Sequence, residues 1–521
     1  MSRQIRIAAI IWSLSILLSR VIGLVREAVI GRVLGGGAEA DVYWASFVIP
    51  DFLNYLLAAG ALSIVFIPIF GGHLANGDED AAWRAFRVIS TPVLLLLALA
   101  LGALHLAVPS LSAWWFDGFS EAQQADLVAL TRIVLPAQAF HVVGGLLSAA
   151  LQARDRHLLP ALAPVVYTSG IIAGGLIAGP TLGAYGFAWG VLAGSIAGPF
   201  LLPLIGCLRM GLRWWPSLDL SHPDLRRWLW RSLPIMLAFS VVVVDDWMLK
   251  REASRLAEGS VSTVQYAKSL LKVPMGVFGL AAGAAAFPTL TRLIAQGKDA
   301  DAWEVLTAST RRMLALALGA QVLLSVAGTE IAAVIYGSRL PSTQHADIGA
   351  ALTIMAIGLW AWAAQTLLAR GFYARGDTWV PSLLGSAAML IAFPVYGALA
   401  APLGTVGLAA ASTLAISGYV AVLAVALRRR FRGTTPVFGL FIPKAIGAVT
   451  VGIGAGFACR VALFSAGLEG GDLLQSLARG ALAGAAGLIA YGLAASALHM
   501  HELDAVLHMV TRRLRRRSPG G

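Results

Sequence analysis

The sequence predicts an all-α polytopic membrane protein of about fourteen transmembrane helices, and three observations carry that prediction. Its 521 residues are 58% hydrophobic and 13% charged, with mean hydropathy +0.77. Soluble domains sit near 45–50% apolar and about 25% charged, so the polar residues here could not cover a water-soluble globule. The 56 glycines suit a membrane interior, where small residues let helices approach closely. Apolar runs of about 20 residues, the length a spanning helix needs, recur along the whole chain. None shows the alternation of a membrane β-barrel strand.

Those runs lie at 7–34, 42–70, 88–109, 127–151, 159–179, 184–208, 232–256, 262–290, 310–336, 347–373, 379–401, 404–427, 441–465 and 474–498. The first continues from Ile7 to Leu34 through charged residues, so no cleavable signal is expected. Loop charge gives the count a direction. With Arg3 and Arg6 inside, every second connection should be cytoplasmic. Those connections carry Arg84 and Arg87, Arg154 and Arg156, Arg209 to Arg231, Arg292 to Arg312, Arg375, and Arg428 to Arg432. The opposite loops are nearly bare, with Lys250, Arg251 and Arg255 as exceptions. Both termini are therefore expected in the cytoplasm. The net charge of +12 is spread through these short loops, so nucleic acid is not an expected partner. Cys207 and Cys459 sit in apolar runs, read as small buried residues and not as a disulfide or metal pair.

An internal repeat divides the chain. Leu151–Pro160 and Phe372–Pro381 share Ala-Arg and a proline six residues after the arginine, each following a fourth helix. Ala58–Ala61 recurs as Ala281–Ala284, each after a proline, at nearly the same offset. Two parallel six-helix lobes are expected, 1–208 and 232–428, related by an axis along the membrane normal. Residues 209–231, with Trp214, Trp215, Trp228 and Trp230 among arginines, read as a cytoplasmic interfacial linker. Residues 429–499 form two further helices, and 500–521 a basic cytoplasmic tail.

No Walker loop, dinucleotide fingerprint, HExxH or zinc spacing occurs, so neither catalytic nor metal residues are expected. The informative residues are charges at membrane depth, which are costly and face a cavity or a partner. Arg20 and Arg26 occupy one segment whose length, roughly 42 Å, exceeds a straight crossing of a core about 30 Å thick. On an ideal helix they point about 120° apart, and Gly23 offers a bend that turns both to one cavity. The alternative is that Arg26 pairs with Glu27, Glu39 or Asp41 while Arg20 snorkels. Planar guanidinium forks match phosphate oxygens, so a diphosphate is the natural ligand. Asp41, Asp51 and Asn54 mark the second segment, and Lys268 and Lys272 the eighth. Asp245 and Asp246 are adjacent carboxylates in the seventh. They require a bound coupling cation, a proton, or pairing with a nearby Lys or Arg, most simply Lys250 and Lys268.

Ser19–Glu27, Ala40-Asp41, Ile49-Pro50, Ala58–Ser63 and Phe66–Pro68 together resemble the first two helices of MurJ/MviN. That is the lipid II flippase family of bacterial peptidoglycan synthesis, within the multidrug/oligosaccharidyl-lipid/polysaccharide exporter superfamily. Tyr266–Lys268, Pro274–Val277, Phe287–Leu290 and Gly371–Thr378 resemble later motifs. The resemblance implies a cationic cavity between the lobes for the pyrophosphate-sugar headgroup, and a groove at the last two helices for the polyprenyl tail. It carries substrate-binding roles onto Arg20, Arg26 and Asp41. Two further family arginines are Asn54 and Lys268 here, and a family glutamate is Ala59. The eleventh segment lacks the Asn/Asp residues with which some members bind sodium. The implied function is movement of lipid II from the cytoplasmic to the periplasmic leaflet of the bacterial inner membrane by alternating access. No enzyme chemistry or cofactor is implied, and coupling to membrane potential or a monovalent cation stays open. Implied partners are lipid II or a related polyprenyl-diphosphate saccharide, membrane lipids and cell-wall synthesis proteins. Two alternatives remain: another polyprenyl-diphosphate-linked oligosaccharide as cargo, or a non-transporting scaffold for cell-wall synthesis.

Overall fold

Helices account for nearly all of the backbone in the computed structural model, which describes residues 3–58, 61–237, 241–432, 436–468 and 472–503. No strand occurs among them. Ala59, one half of the Ala58–Ala61 patch and most of the basic tail lie outside the described residues. The chain divides into two compact units, Met1–Phe239 with Ala257–Ser262, and Ser240–Leu256 with Thr263–Gly521.

The first unit contains α1 (Arg3–Leu34), α2 (Ala38–Ala45), α3 (Val48–Ala58), α4 (Ala61–Ala75), α5 (Glu79–Trp115), α6 (Glu121–Val134) and α7 (Ala137–Gln152). It continues with α8 (Leu158–Ile177), α9 (Gly179–Leu182), α10 (Ala184–Ser195), a π-helical turn at Ile196–Leu201, α11 (Leu202–Leu208) and α12 (Pro223–Leu237). Polar side chains cap two long helices of this unit. Asp78 accepts the Ala81 N–H at 2.8 Å to cap α5, and Ser120 with Gln123 forms a reciprocal capping box on α6.

An aromatic chain of Phe66, Phe70, Trp83 and Phe86, with centroid spacings of 5.3–5.9 Å, fills the core between α4 and α5. Trp214 packs edge-on against Phe86 at 5.9 Å, and the Arg87 guanidinium lies 3.8 Å over Trp215. The stretch read as an interfacial linker is thus partly core of the first unit, where Trp228 is also buried. Its last residues already belong to α12.

Glycines set the closest packing. A Cβ on Gly174 of α8 would stand 2.6 Å from Gly190 Cα and Gly186 O of α10. The two backbones meet there as in small-residue membrane contacts.

The second unit holds α13 (Val241–Ala253), α14 (Ser260–Ala295, from Thr263 onward), α15 (Asp299–Tyr336), α16 (Ser342–Ile357), α17 (Leu359–Tyr373) and α18 (Trp379–Phe431). It ends with α19 (Phe441–Ser465) and α20 (Leu473–Ala497), which pack on α15. The two helices expected as a separate region are therefore part of this unit. α18 is two helices that meet at a kink at Gly404 (φ 59°), where the eleventh and twelfth segments were expected to part. Glycine permits that left-handed φ.

Eight helices among the described residues are long and apolar enough to span a membrane, and α16 with α17, bent by 41°, makes a ninth. That count covers the described residues alone, and α18 holds both the eleventh and the twelfth expected segments.

Candidate functional site

The first unit holds four of the singled-out residues. α1 stays helical through Gly23, where an added Cβ would meet nothing within 4 Å, so close packing does not require that glycine. Arg20 is exposed on α1 and makes no hydrogen bond or ion pair among the described residues. Arg26 is bonded through Nη2 to Glu27, one of the three acids considered for it. Its Nε is buried with no acceptor, as is Glu27 Oε2. A guanidinium with an unused N–H retains capacity to donate to a ligand oxygen. Asn54 on α3 is half-buried and also makes no hydrogen bond among the described residues.

Asp41 is buried and fully engaged. Its Oδ2 accepts the Gly259 N–H and its Oδ1 the Ser262 N–H, both at 2.7 Å. Ser262 Oγ in turn donates to the Gly36 carbonyl at 3.1 Å, and Ala38 N–H donates to Glu258 at 2.9 Å. Asp41 therefore secures the Gly259–Ser262 turn. Nearby, Glu39 accepts the first free N–H of α10, from Ala184, at 2.7 Å across Gly183. A Cβ on Gly183 would stand 1.6 Å from that carboxylate.

The second unit brings Asp245, Asp246 and Lys268 together. Lys268 Nζ lies 2.5 Å from Asp245 Oδ2 and 3.1 Å from Asp246 Oδ1. Lys250 lies 3.0 Å from Asp246, and Lys272 3.7 Å. Tyr396 of α18 donates its hydroxyl to Asp245. The adjacent carboxylates are thus surrounded by three ammonium groups and a phenol, which relieves their mutual repulsion.

Tyr396 was not legible in the sequence, since it lies 151 residues from its partner. A second cluster also escaped it. Buried Glu330 of α15 receives Nε of Arg460 at 2.9 Å and Nε of Arg479 at 2.8 Å, tying α19 and α20 to α15. The available signal was a lone glutamate in one apolar segment and lone arginines in two others. His141 lies 3.0 Å from Ser195 Oγ and edge-on to Tyr167. Cys207 and Cys459 are free.

The glycines of α19 and α20 are largely packing residues. Cβ atoms on Gly452, Gly456, Gly480 and Gly484 would come within 2.9 Å of neighbouring atoms, while Gly454 faces open space. An apolar cavity of about 500 Å³ lies elsewhere, bounded by Leu314 and Leu318 of α15, Trp360 of α17, and Phe441, Ala445 and Val449 of α19. Gln321 and Thr450 are among its polar lining side chains.

Solved structures of membrane transporters share this helical architecture. It matches a solved structure described as an inward-facing multidrug resistance MATE family transporter of the MOP superfamily, with TM-score 0.65 and 16% identity over 79% of this chain and 94% of that one. A solved lipid II flippase MurJ in an inward closed conformation matches with TM-score 0.75 and 17% identity, covering 94% of this chain and 99% of that one. The family described as lipid II flippase MurJ matches residues 30–467, and the chain belongs to that family. The lipid II flippase MurJ of Burkholderia cenocepacia is 29% identical over 72% of this chain and 74% of its own. A probable lipid II flippase MurJ of Vibrio cholerae is 28% identical over 79% and 81%.

Proposed function

We propose that this protein moves lipid II from the cytoplasmic to the periplasmic leaflet of the bacterial inner membrane by alternating access, with both termini cytoplasmic. The observation that carries the proposal is the pair of arginines on α1, one without an acidic partner among the described residues and one with a buried N–H to spare, in a chain of this family. Arg20 and Arg26 take the diphosphate, whose oxygens accept charge-assisted bonds from both guanidinium planes. Asn54 adds a neutral amide contact. Asp41 acts by holding the Gly259–Ser262 turn.

Lys268 serves as the counter-ion of Asp245 and Asp246, not as a cation offered to the headgroup. The same geometry favours structural pairing over cation coupling for the two aspartates, because three lysines already supply the charge a cation would bring. The polyprenyl tail lies against α19, beside the apolar cavity. No bond is made or broken, so the work is selective binding and release.

A second reading keeps the transporter and changes the saccharide, since Asn54 brings no charge where the family places an arginine. Purified protein in liposomes, tested with lipid II and with a different polyprenyl-diphosphate saccharide, separates the two. Lipid II flipping together with rescue of flippase-depleted cells is the expected result. Absence of both from well-folded protein would overturn the proposal and leave the scaffold reading.

A further inference from the structure

At one end of the second unit, α14 stops, α15 begins and α18 ends around a cavity of about 520 Å³. Ile294, Asp299, Arg375, Arg430 and Arg432 line it, so three guanidinium groups face one carboxylate. Arg375 Nη2 stands 2.6 Å from Asp299 Oδ2, yet its Nε is buried with no acceptor. Its plane is held 4.1 Å over the ring of Phe431. Arg430 reaches Asp377 only at 3.5 Å and is mostly exposed.

Arg432 ends α18 in the left-handed region, at φ 50° and ψ 36°, a conformation that costs an L residue and suits glycine. The internal repeat shows what the simple solution looks like. At the repeat offset, Arg154 corresponds to Arg375, Arg209 to Arg430 and Gly211 to Arg432. Gly211 likewise has a positive φ (76°), which glycine adopts without strain. The second unit has an arginine there instead. Strain retained at one copy of a repeat, beside a cavity with an unused guanidinium N–H, points to a ligand.

We propose that this cavity is a phosphate-group site. Several guanidinium forks around a pocket match the oxygens of a phosphate monoester or diester better than a single carboxylate does. The group comes either on an anionic lipid or free in solution, and the experiment distinguishes them.

Full-length protein in detergent is titrated with phosphatidylglycerol, with phosphatidylcholine and with inorganic phosphate, and bound species are counted by native mass spectrometry. Arg432→Gly restores the turn seen at Gly211, so its fold is preserved, and an unchanged or raised thermal midpoint verifies this. Arg375→Gln removes the stacked guanidinium, and Arg209→Gln in the first unit is the control. A lipid ligand predicts phosphatidylglycerol binding over phosphatidylcholine, weakened roughly tenfold or more in Arg432→Gly and Arg375→Gln but not in Arg209→Gln, and unaffected by inorganic phosphate. A free-phosphate ligand predicts saturable phosphate binding with the same variant pattern, and no preference between the two lipids. Equal binding by wild type and both cavity variants, or no binding of either probe to wild type, overturns the proposal. The readout is binding and not transport, so it stands apart from the identity of the flipped lipid.

Discussion

Lys268 Nζ sits 2.5 Å from Asp245 Oδ2, with both side chains almost closed to solvent. Breaking such a buried pair from one side leaves an uncompensated charge, at a cost of about 3–5 kcal/mol. Lys268→Met should therefore lower the thermal midpoint in detergent markedly. The double variant Lys268→Met/Asp245→Leu should recover part of the loss, because Asp246 keeps Lys250 at 3.0 Å. A single variant that melts like wild type would mean the pair contributes nothing to stability.

Arg20→Lys and Arg26→Lys keep the charge of α1 but lose the planar fork. Bidentate bonds to phosphate are among the stronger hydrogen bonds, so each change should slow lipid II flipping about tenfold at matched protein levels. Arg26→Lys also weakens the bond to Glu27, so its thermal midpoint is measured alongside the flipping rate. Full activity in both variants would make these arginines structural and move the headgroup elsewhere.

Gly484 and Gly454 separate packing from lipid exposure. A Cβ at Gly484 would come 2.6 Å from Leu323 Cδ1, whereas one at Gly454 meets nothing within 4 Å. Gly484→Leu should overpack the α15–α20 contact at about 1–3 kcal/mol and reduce the yield of folded protein. Gly454→Leu should insert and fold normally. If Gly484→Leu folds like wild type but flips poorly, that face serves the tail and not the packing.

Asp41→Asn tests the turn at Gly259–Ser262. An amide keeps one acceptor oxygen and sets N–H groups against a backbone donor. The loss of one buried bond costs about 1–3 kcal/mol, which speeds local amide exchange roughly tenfold or more. Hydrogen exchange read by mass spectrometry on peptides covering 257–262 checks this. Unchanged protection there would deny Asp41 its holding role.

Topology is open to a direct check in a background lacking Cys207 and Cys459. Thr181 and Arg429 are both exposed. A cysteine at Thr181 should react with an impermeant reagent in intact cells, and one at Arg429 only after lysis. The same result at both positions would contradict the helix count between them.

The sequence by itself determined the membrane class and the all-helical fold. Hydropathy and loop charge act locally along the chain, so they survive in one dimension. The Ala-Arg repeat even located the Arg375 turn that borders the phosphate cavity. The partners of Lys268 were among the options, because an acid pair at membrane depth demands cations.

Tertiary structure alone decided which option holds. Tyr396 reaches Asp245 from 151 residues away, Arg460 and Arg479 converge on Glu330, and Asp41 grips a turn some 220 residues distant. Trp214 and Trp228 also pack within the first unit, against partners that composition does not name. The physical reason is the same in each case. Burial makes an unpaired charge or a loosely packed ring costly, but the partner that relieves the cost is chosen by which helices lie side by side. No periodicity along the chain encodes that choice.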